Sequence, residues 1–217
     1  MKQYTIIGLG RFGFAAGQEL IRLGHYVIGI DHREKLVAKA ADIFTLAAVS
    51  DATSEEALRE LDVQNSDTVL VAIGENLEAS ILCVLTLKQL GVENIWVKAS
   101  SKAHHIILSK LGVSRVIHPE EEIGVRVAQA LNYPMVNQYM FLGHNLYVVE
   151  IEIKKCCEGL SILEMLGKAQ QYVSVLLLKR QTKTFNHVDL QFTLNYHDSL
   201  VLCGPIETLR TLAPRLA

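Results

Sequence analysis

Gly8-Leu9-Gly10-Arg11-Phe12-Gly13 is the stretch best suited to chemistry, and the chemistry is the holding of phosphate. Its three glycines serve, in order, a tight turn, close approach of backbone to phosphate oxygens, and close helix–strand packing. Arg11 is the unusual member. A cation at a helix N-terminus opposes the helix dipole unless an added anion neutralises it. Asp31 follows 18 residues after Gly13, at the end of the next apolar run. Its carboxylate suits a pair of ribose hydroxyls and repels a 2′-phosphate, which favours NAD or an adenine nucleotide over NADP. His32 and Arg33 come directly after it, and Arg33 works the other way, as a partner for a 2′-phosphate. The plainer role for Asp31 is to cap the following helix.

Further candidates stand at matching points along the chain. Asp51-Ala52-Thr53 either borders an adenine or forms a plain turn. Ile73-Gly74-Glu75-Asn76 brings backbone to a ligand at Gly74, with Asn76 free to cap a helix. Lys98 reaches a phosphate or is simply a solvated strand end, with Ala99 and Ser100 after it. Glu120-Glu121-Glu122 follows Pro119; acids in a first helical turn suit the dipole, and one of them is also placed to hold a cation beside phosphates.

The elements that must position these residues are legible. Short continuous apolar runs at 4–7, 26–30, 43–48, 68–73, 94–98 and 115–118 have the character of parallel strands buried on both faces. Helix-period segments lie between and after them, at 12–24, 34–41, 54–61, 77–90, 102–111 and 120–132. Thr53 to Glu56 matches a capping box for the third helix. Six βα units argue for an α/β, Rossmann-like doubly wound parallel sheet. The pattern breaks at Asn132-Tyr133-Pro134, and Gln138 to Gly143 reads as a connector. A small α+β lobe is expected beyond it: strands at 147–153, 173–178 and 198–203, a short helix boxed by Ser161 and Glu164, and a last helix opened by Pro205. The expected domains are 1–133 and 134–217.

Composition narrows the classes. The chain has 217 residues, a net charge of −2 and no long run of one charge, so no basic field draws it to nucleic acid. It enters a strand almost at once with no signal-like segment, and no stretch approaches the ~18 apolar residues of a membrane span. A cytoplasmic protein is expected, meeting a membrane only through a partner. Cys83 and Cys203 lie in apolar runs, and Cys156-Cys157 has neither zinc-ligand nor ordinary disulfide spacing. No GxSxG, HExxH, HxxEH or YxxxK set is present, and His104, His105 and His118 have no matching nucleophile–base–acid arrangement. The expectation is therefore no enzyme, with a small NAD-dependent oxidoreductase as the alternative.

Ile6 to Gly13, Val71-Ala72-Ile73-Gly74, Asn94 to Ala99 and Val116-Ile117-His118-Pro119-Glu120 resemble the RCK (KTN) domains that regulate potassium transport. The resemblance implies a cytosolic gating subunit, an octameric ring of dimers docked on a KtrB-type membrane potassium translocator. It implies ATP and ADP as ligands, ATP activating and ADP inactivating, with NAD(H) a further one. By the same resemblance, Gly8, Gly10, Phe12 and Gly13 cradle the phosphates and Arg11 contacts the terminal one. Asp31, His32 and Arg33 take the ribose side, and Asp51 and Ala52 border the adenine. Ile73, Gly74 and Glu75 line the site. Lys98, Ala99, Ser100 and His104 close it, and Glu120 binds a divalent cation or Na+. Some relatives bind cyclic di-AMP between C-terminal lobes; Gln181 to His187 does not show a convincing version of that site.

Overall fold

A computed structural model describes residues 1–132 and 136–216. The chain divides into two compact units, Met1–Glu121 and Glu122–Ala217. The division falls inside a helix, about a dozen residues before the boundary expected at 133/134; Tyr133 and Pro134 lie outside the described residues.

The first unit is a six-stranded parallel sheet in the order β3-β2-β1-β4-β5-β6. Its strands are β1 (Gln3–Ile7), β2 (Tyr26–Asp31), β3 (Leu46–Val49), β4 (Thr68–Val71), β5 (Ile95–Lys98) and β6 (Arg115–Ile117). The helices are α1 (Arg11–Arg22), α2 (Glu34–Ala41), α3 (Glu55–Glu60), α4 (Leu77–Gln89), α5 (Lys102–Lys110) and α6 (Pro119–Asn132). Sequence order reverses between β1 and β4, which opens a crevice at the carboxyl ends of those strands, the usual ligand position in such sheets. Apolar side chains pack on both faces of the sheet. Ile7, Val71, Val97 and Leu87 belong to one cluster, and Ile6, Leu9, Val27 and Phe44 to the other. This two-sided burial is why the strands read as unbroken apolar runs.

Two local expectations are corrected. The third strand begins at Leu46, not residue 43, because Phe44 leaves the strand path and packs in the core (5 % exposed). Its ring lies where a Cβ on Gly17 would come within 2.2 Å. The third helix is capped by Ser54, which accepts the Ala57 amide, while the Thr53 hydroxyl donates to Asp51 instead of forming a box with Glu56.

The second unit is built on an antiparallel sheet in the order β10-β9-β11-β8-β7. Its strands are β7 (Val136–Gly143), β8 (Leu146–Glu152), β9 (Ser174–Arg180), β10 (Lys183–Phe185) and β11 (Ser199–Pro205), with helices α7 (Ile162–Leu166) and α8 (Ile206–Leu216). The expected connector at Gln138 to Gly143 is therefore a strand. Gly143, His144 and Asn145 all have positive φ and form a tight turn that folds β7 onto β8. Pro205 ends β11, and the last helix starts one residue later. Ile151, Ile162, Leu178 and Leu200 are among the residues of its single core. The Ser161–Glu164 capping box forms as expected. Among the described residues, no helix is long and apolar enough to cross a membrane.

Candidate functional site

The candidate residues lie at the carboxyl edge of the parallel sheet, in the loops just beyond it, or in the first turn of the helix that follows: Arg11, Phe12 and Gly13 open α1, His104 is one turn into α5, and Glu120 opens α6. The glycine turn is held from three sides. Gly8 has φ +95°, and a Cβ there would meet the Ala72 carbonyl carbon at 2.9 Å. A Cβ on Gly13 would lie 2.0 Å from the Gly8 carbonyl oxygen. Neither position admits a side chain, so the turn packs flush between β1, β4 and α1. Gly10 differs: a Cβ there would meet nothing within 4 Å, so the side facing out of the turn is open. Gly10 is also the N-cap of α1, without a capping side chain. The first amides of α1 are left as donors facing that space, the arrangement that binds anions.

Asp31 is buried (4 % exposed) and does more than the sequence indicates. Its Oδ2 accepts the Leu9 amide at 2.7 Å, tying the glycine turn to the end of β2. Its Oδ1 accepts the Arg33 amide at 2.9 Å and Arg33 Nε at 3.1 Å. Burial alone would raise its pKa. The hydrogen bonds from Arg33 and Leu9, with the Arg33 charge, outweigh burial and hold it below the ordinary aspartate value. Asp31 does not cap α2; Arg33 is the N-cap, without a side-chain bond. Arg33 is half-exposed, so a ribose reaching Asp31 has only a solvated side chain to displace. His32 is a looser neighbour, with Nδ1 3.5 Å from Oδ1.

On the other side of the turn, Lys98 Nζ is 2.5 Å from Glu120 Oε1. The same ammonium lies 6.0 Å from the centre of the Phe12 ring and 3.5 Å from where a Cβ on Gly74 would be. Lys98 thus leans across the mouth of the crevice between the glycine turn and the β4 loop. The Lys98 hydrogen bond lowers the Glu120 pKa, with burial opposing and the charges of Lys98 and Arg11 assisting. Arg11 is exposed, and among the described residues its side chain has no hydrogen bond or ion pair.

His104 is fully buried, and its Nδ1 lies 3.3 Å from the Ser100 amide and 3.2 Å from the Ser100 hydroxyl. An amide can only donate, which puts the imidazole proton on Nε2. That atom is buried without a partner. Burial, then the neighbouring His118, lowers the His104 pKa. Asp51 is turned inward on its own loop, accepting the Thr53 amide and hydroxyl at 2.9 and 2.8 Å. Ala52 and Ile73 pack against the sheet core and Ala99 belongs to it, Asn76 caps α4 through the Ala79 amide, and Glu75 is exposed.

The residues present fit a nucleotide: an open Gly10, uncapped α1 amides, two cations at the mouth and a polar orphan at His104. They do not form a metal site by themselves. Among the described residues, no group of three or more His, Cys, Asp and Glu side chains is placed to hold an ion. A cation at Glu120 therefore needs oxygens from a bound ligand to complete its shell. Burial pushes the Cys83 thiol up to about 12.

Residues 4–119 match the TrkA-N domain family. The chain is 37% identical over 203 residues to Ktr system potassium uptake protein A of Bacillus subtilis (strain 168), covering 94% of this chain and 91% of that one. This chain belongs to the TrkA-N family. Within that family it is also similar to the Ktr system potassium uptake protein A of Vibrio alginolyticus, 34% identical over 208 residues, covering 96% and 94% of the two chains. The fold is shared with the GsuK channel, in a structure of that channel bound to NAD: TM-score 0.57, 19% identity, all of this chain and 38% of that one. Sequence reasoning missed the clamp from Asp31 to Leu9, since a backbone amide leaves no mark in a sequence. It also missed the pairing of Lys98 with Glu120, although both stood at the same sheet edge.

Proposed function

We propose that this TrkA-N protein is a cytosolic nucleotide-sensing regulatory subunit of a potassium uptake system. It acts on a KtrB-type membrane translocator, with ATP favouring the active state and ADP the inactive one. The observation that carries the reading is Arg11, an unpaired cation among the described residues, beside an anion-binding helix terminus. A third phosphate gives Arg11 a partner that a diphosphate does not. Such differential contact is what a ligand needs to shift a two-state assembly. The names and extents of the Ktr relatives support the system, and Gly10, Asp31, Lys98 and His104 support the nucleotide. Glu120 takes a divalent cation or Na+ jointly with the phosphates. NAD(H) fits the same glycine turn.

The assembly in this reading is an octameric ring of dimers. Its support is the apolar surface that a single chain leaves exposed: Ile123, Val127 and Leu131 share one side of α6, and Leu82 and Leu85 are exposed on α4. The test is reconstitution with the translocator in potassium-loaded vesicles. The expected result is that flux rises with ATP and falls when ADP replaces it. Equal flux with both nucleotides contradicts the reading, and steady NADH turnover by the isolated protein would favour the oxidoreductase alternative.

A further inference from the structure

Beside the crevice, two histidines meet that the nucleotide does not use. His105 lies on α5, and His118 lies between β6 and α6. His105 Nδ1 is 2.8 Å from His118 Nε2, with ring centres 5.0 Å apart and planes inclined by 23°. Two imidazole nitrogens at this separation share one proton on the line between them, or both reach one metal ion that sits to the side of that line. First-row metals bind imidazole at about 2.0–2.1 Å, so adjacent donors on one ion lie about 2.9 Å apart at right angles and about 3.4 Å apart at the tetrahedral angle. The observed separation is already near the right-angle value.

The scaffold is fixed before any metal arrives. Ser101 caps α5 through the His104 amide at 3.1 Å, and the Ala99 amide donates to Ile117 in β6 at 2.9 Å. Those bonds set the α5 and β6 backbones that carry the two rings. Both histidines are half-buried, so an ion has a route in and water can complete its shell. His104, next in sequence, is engaged at Nδ1 by Ser100 and is not part of the pair.

We propose that His105 and His118 form a binding site for a nitrogen-preferring divalent transition metal. It is separate in donor chemistry from the oxygen-seeking position at Glu120. The ion replaces the proton shared by the two rings and braces α5 against the start of α6.

The probe is Ni2+, titrated calorimetrically into the full chain, with Cu2+ electron paramagnetic resonance as the second measurement. The expected result is one saturable equivalent, weakened at least tenfold in His105→Gln and in His118→Gln. His187→Gln and Cys156→Ser are expected to retain it. Ni2+ is also expected to raise the melting midpoint of the wild type and not of the two histidine variants. Should either variant fail to fold, the wild-type Cu2+ spectrum decides. Hyperfine coupling to two imidazole nitrogens supports the site, and one or none overturns it. No saturable Ni2+ binding, or binding that survives both histidine substitutions, also overturns it.

Discussion

Two buried aspartates, one in each unit, are each held by an arginine, and the difference between them separates a site from a scaffold. In the second unit, Asp198 is 1 % exposed and bound by Arg180 in two-pronged fashion, Nε to Oδ1 at 2.8 Å and Nη2 to Oδ2 at 2.7 Å. The Asn195 amide adds a third bond at 2.8 Å, and Arg180 also reaches the Thr193 carbonyl and lies 5.1 Å from the centre of the Phe192 ring. That pair ties β9 to the turn before β11. In the first unit, Asp31 is tied just as firmly to backbone at Leu9, but its arginine is two residues away, half-exposed and bound less squarely. Arg33 reaches both Asp31 oxygens too, Nε to Oδ1 at 3.1 Å and Nη2 to Oδ2 at 3.3 Å, but with longer bonds and from a more exposed position than Arg180. A buried carboxylate whose cation can swing away is available to a ligand; one gripped by the tighter, less exposed arginine is not.

The largest break in the comparison is expected from Asp198→Asn. Removing the charge leaves Arg180 without its counterion, and loss of one partner of a buried pair costs about 3 kcal/mol, read as a fall in urea stability. Asp31→Asn is expected to cost about 2 kcal/mol, because the Leu9 amide loses a charged acceptor, and to weaken nucleotide binding with it. Arg33→Ala, by contrast, should cost less than about 1 kcal/mol, since its half of the pair is solvated. If Arg33→Ala proves as damaging as Asp31→Asn, the distinction between the two aspartates collapses.

Acid sharpens the same point. The pKa of Asp31 is lowered in the folded protein, so its stabilising contribution is complete above the unfolded value of about 3.9 and is lost as pH falls through the lower folded value. Asp31→Asn should therefore flatten the acid limb of the stability profile and leave the limb above about pH 5 parallel to wild type. The smallest effects are expected at the helix caps. Asn76→Ala in the first unit and Ser161→Ala in the second each remove one capping bond, worth about 1 kcal/mol, and should leave nucleotide binding unchanged.

The first unit was largely legible because its signals are local and repeated. The inner strands are buried on both faces, each helix has its own period, and the glycine turn is contiguous. The second unit was harder. Tyr139 to Leu142 alternates with nothing, so β7 resembled a connector, and the hairpin signal lay in Gly143-His144-Asn145, where only the glycine announces positive φ. Lys183–Phe185 is three residues long, too short for a period to register. At the site, positions at the sheet edge followed from strand order, whereas partners did not. Asp31 to Leu9, Lys98 to Glu120 and His105 to His118 are meetings of distant residues, set by tertiary packing and not by spacing.

The central claim is that Arg11 distinguishes nucleotides by their last phosphate, and paired titrations test it most directly. Calorimetry of ATP and ADP on wild type and Arg11→Ala, at fixed salt and divalent cation, should show tighter binding of ATP by wild type. The variant should lose about tenfold in ATP affinity, the worth of one charged hydrogen bond, with ADP nearly unchanged, so that the two affinities converge. An undiminished preference for ATP in Arg11→Ala would contradict the account.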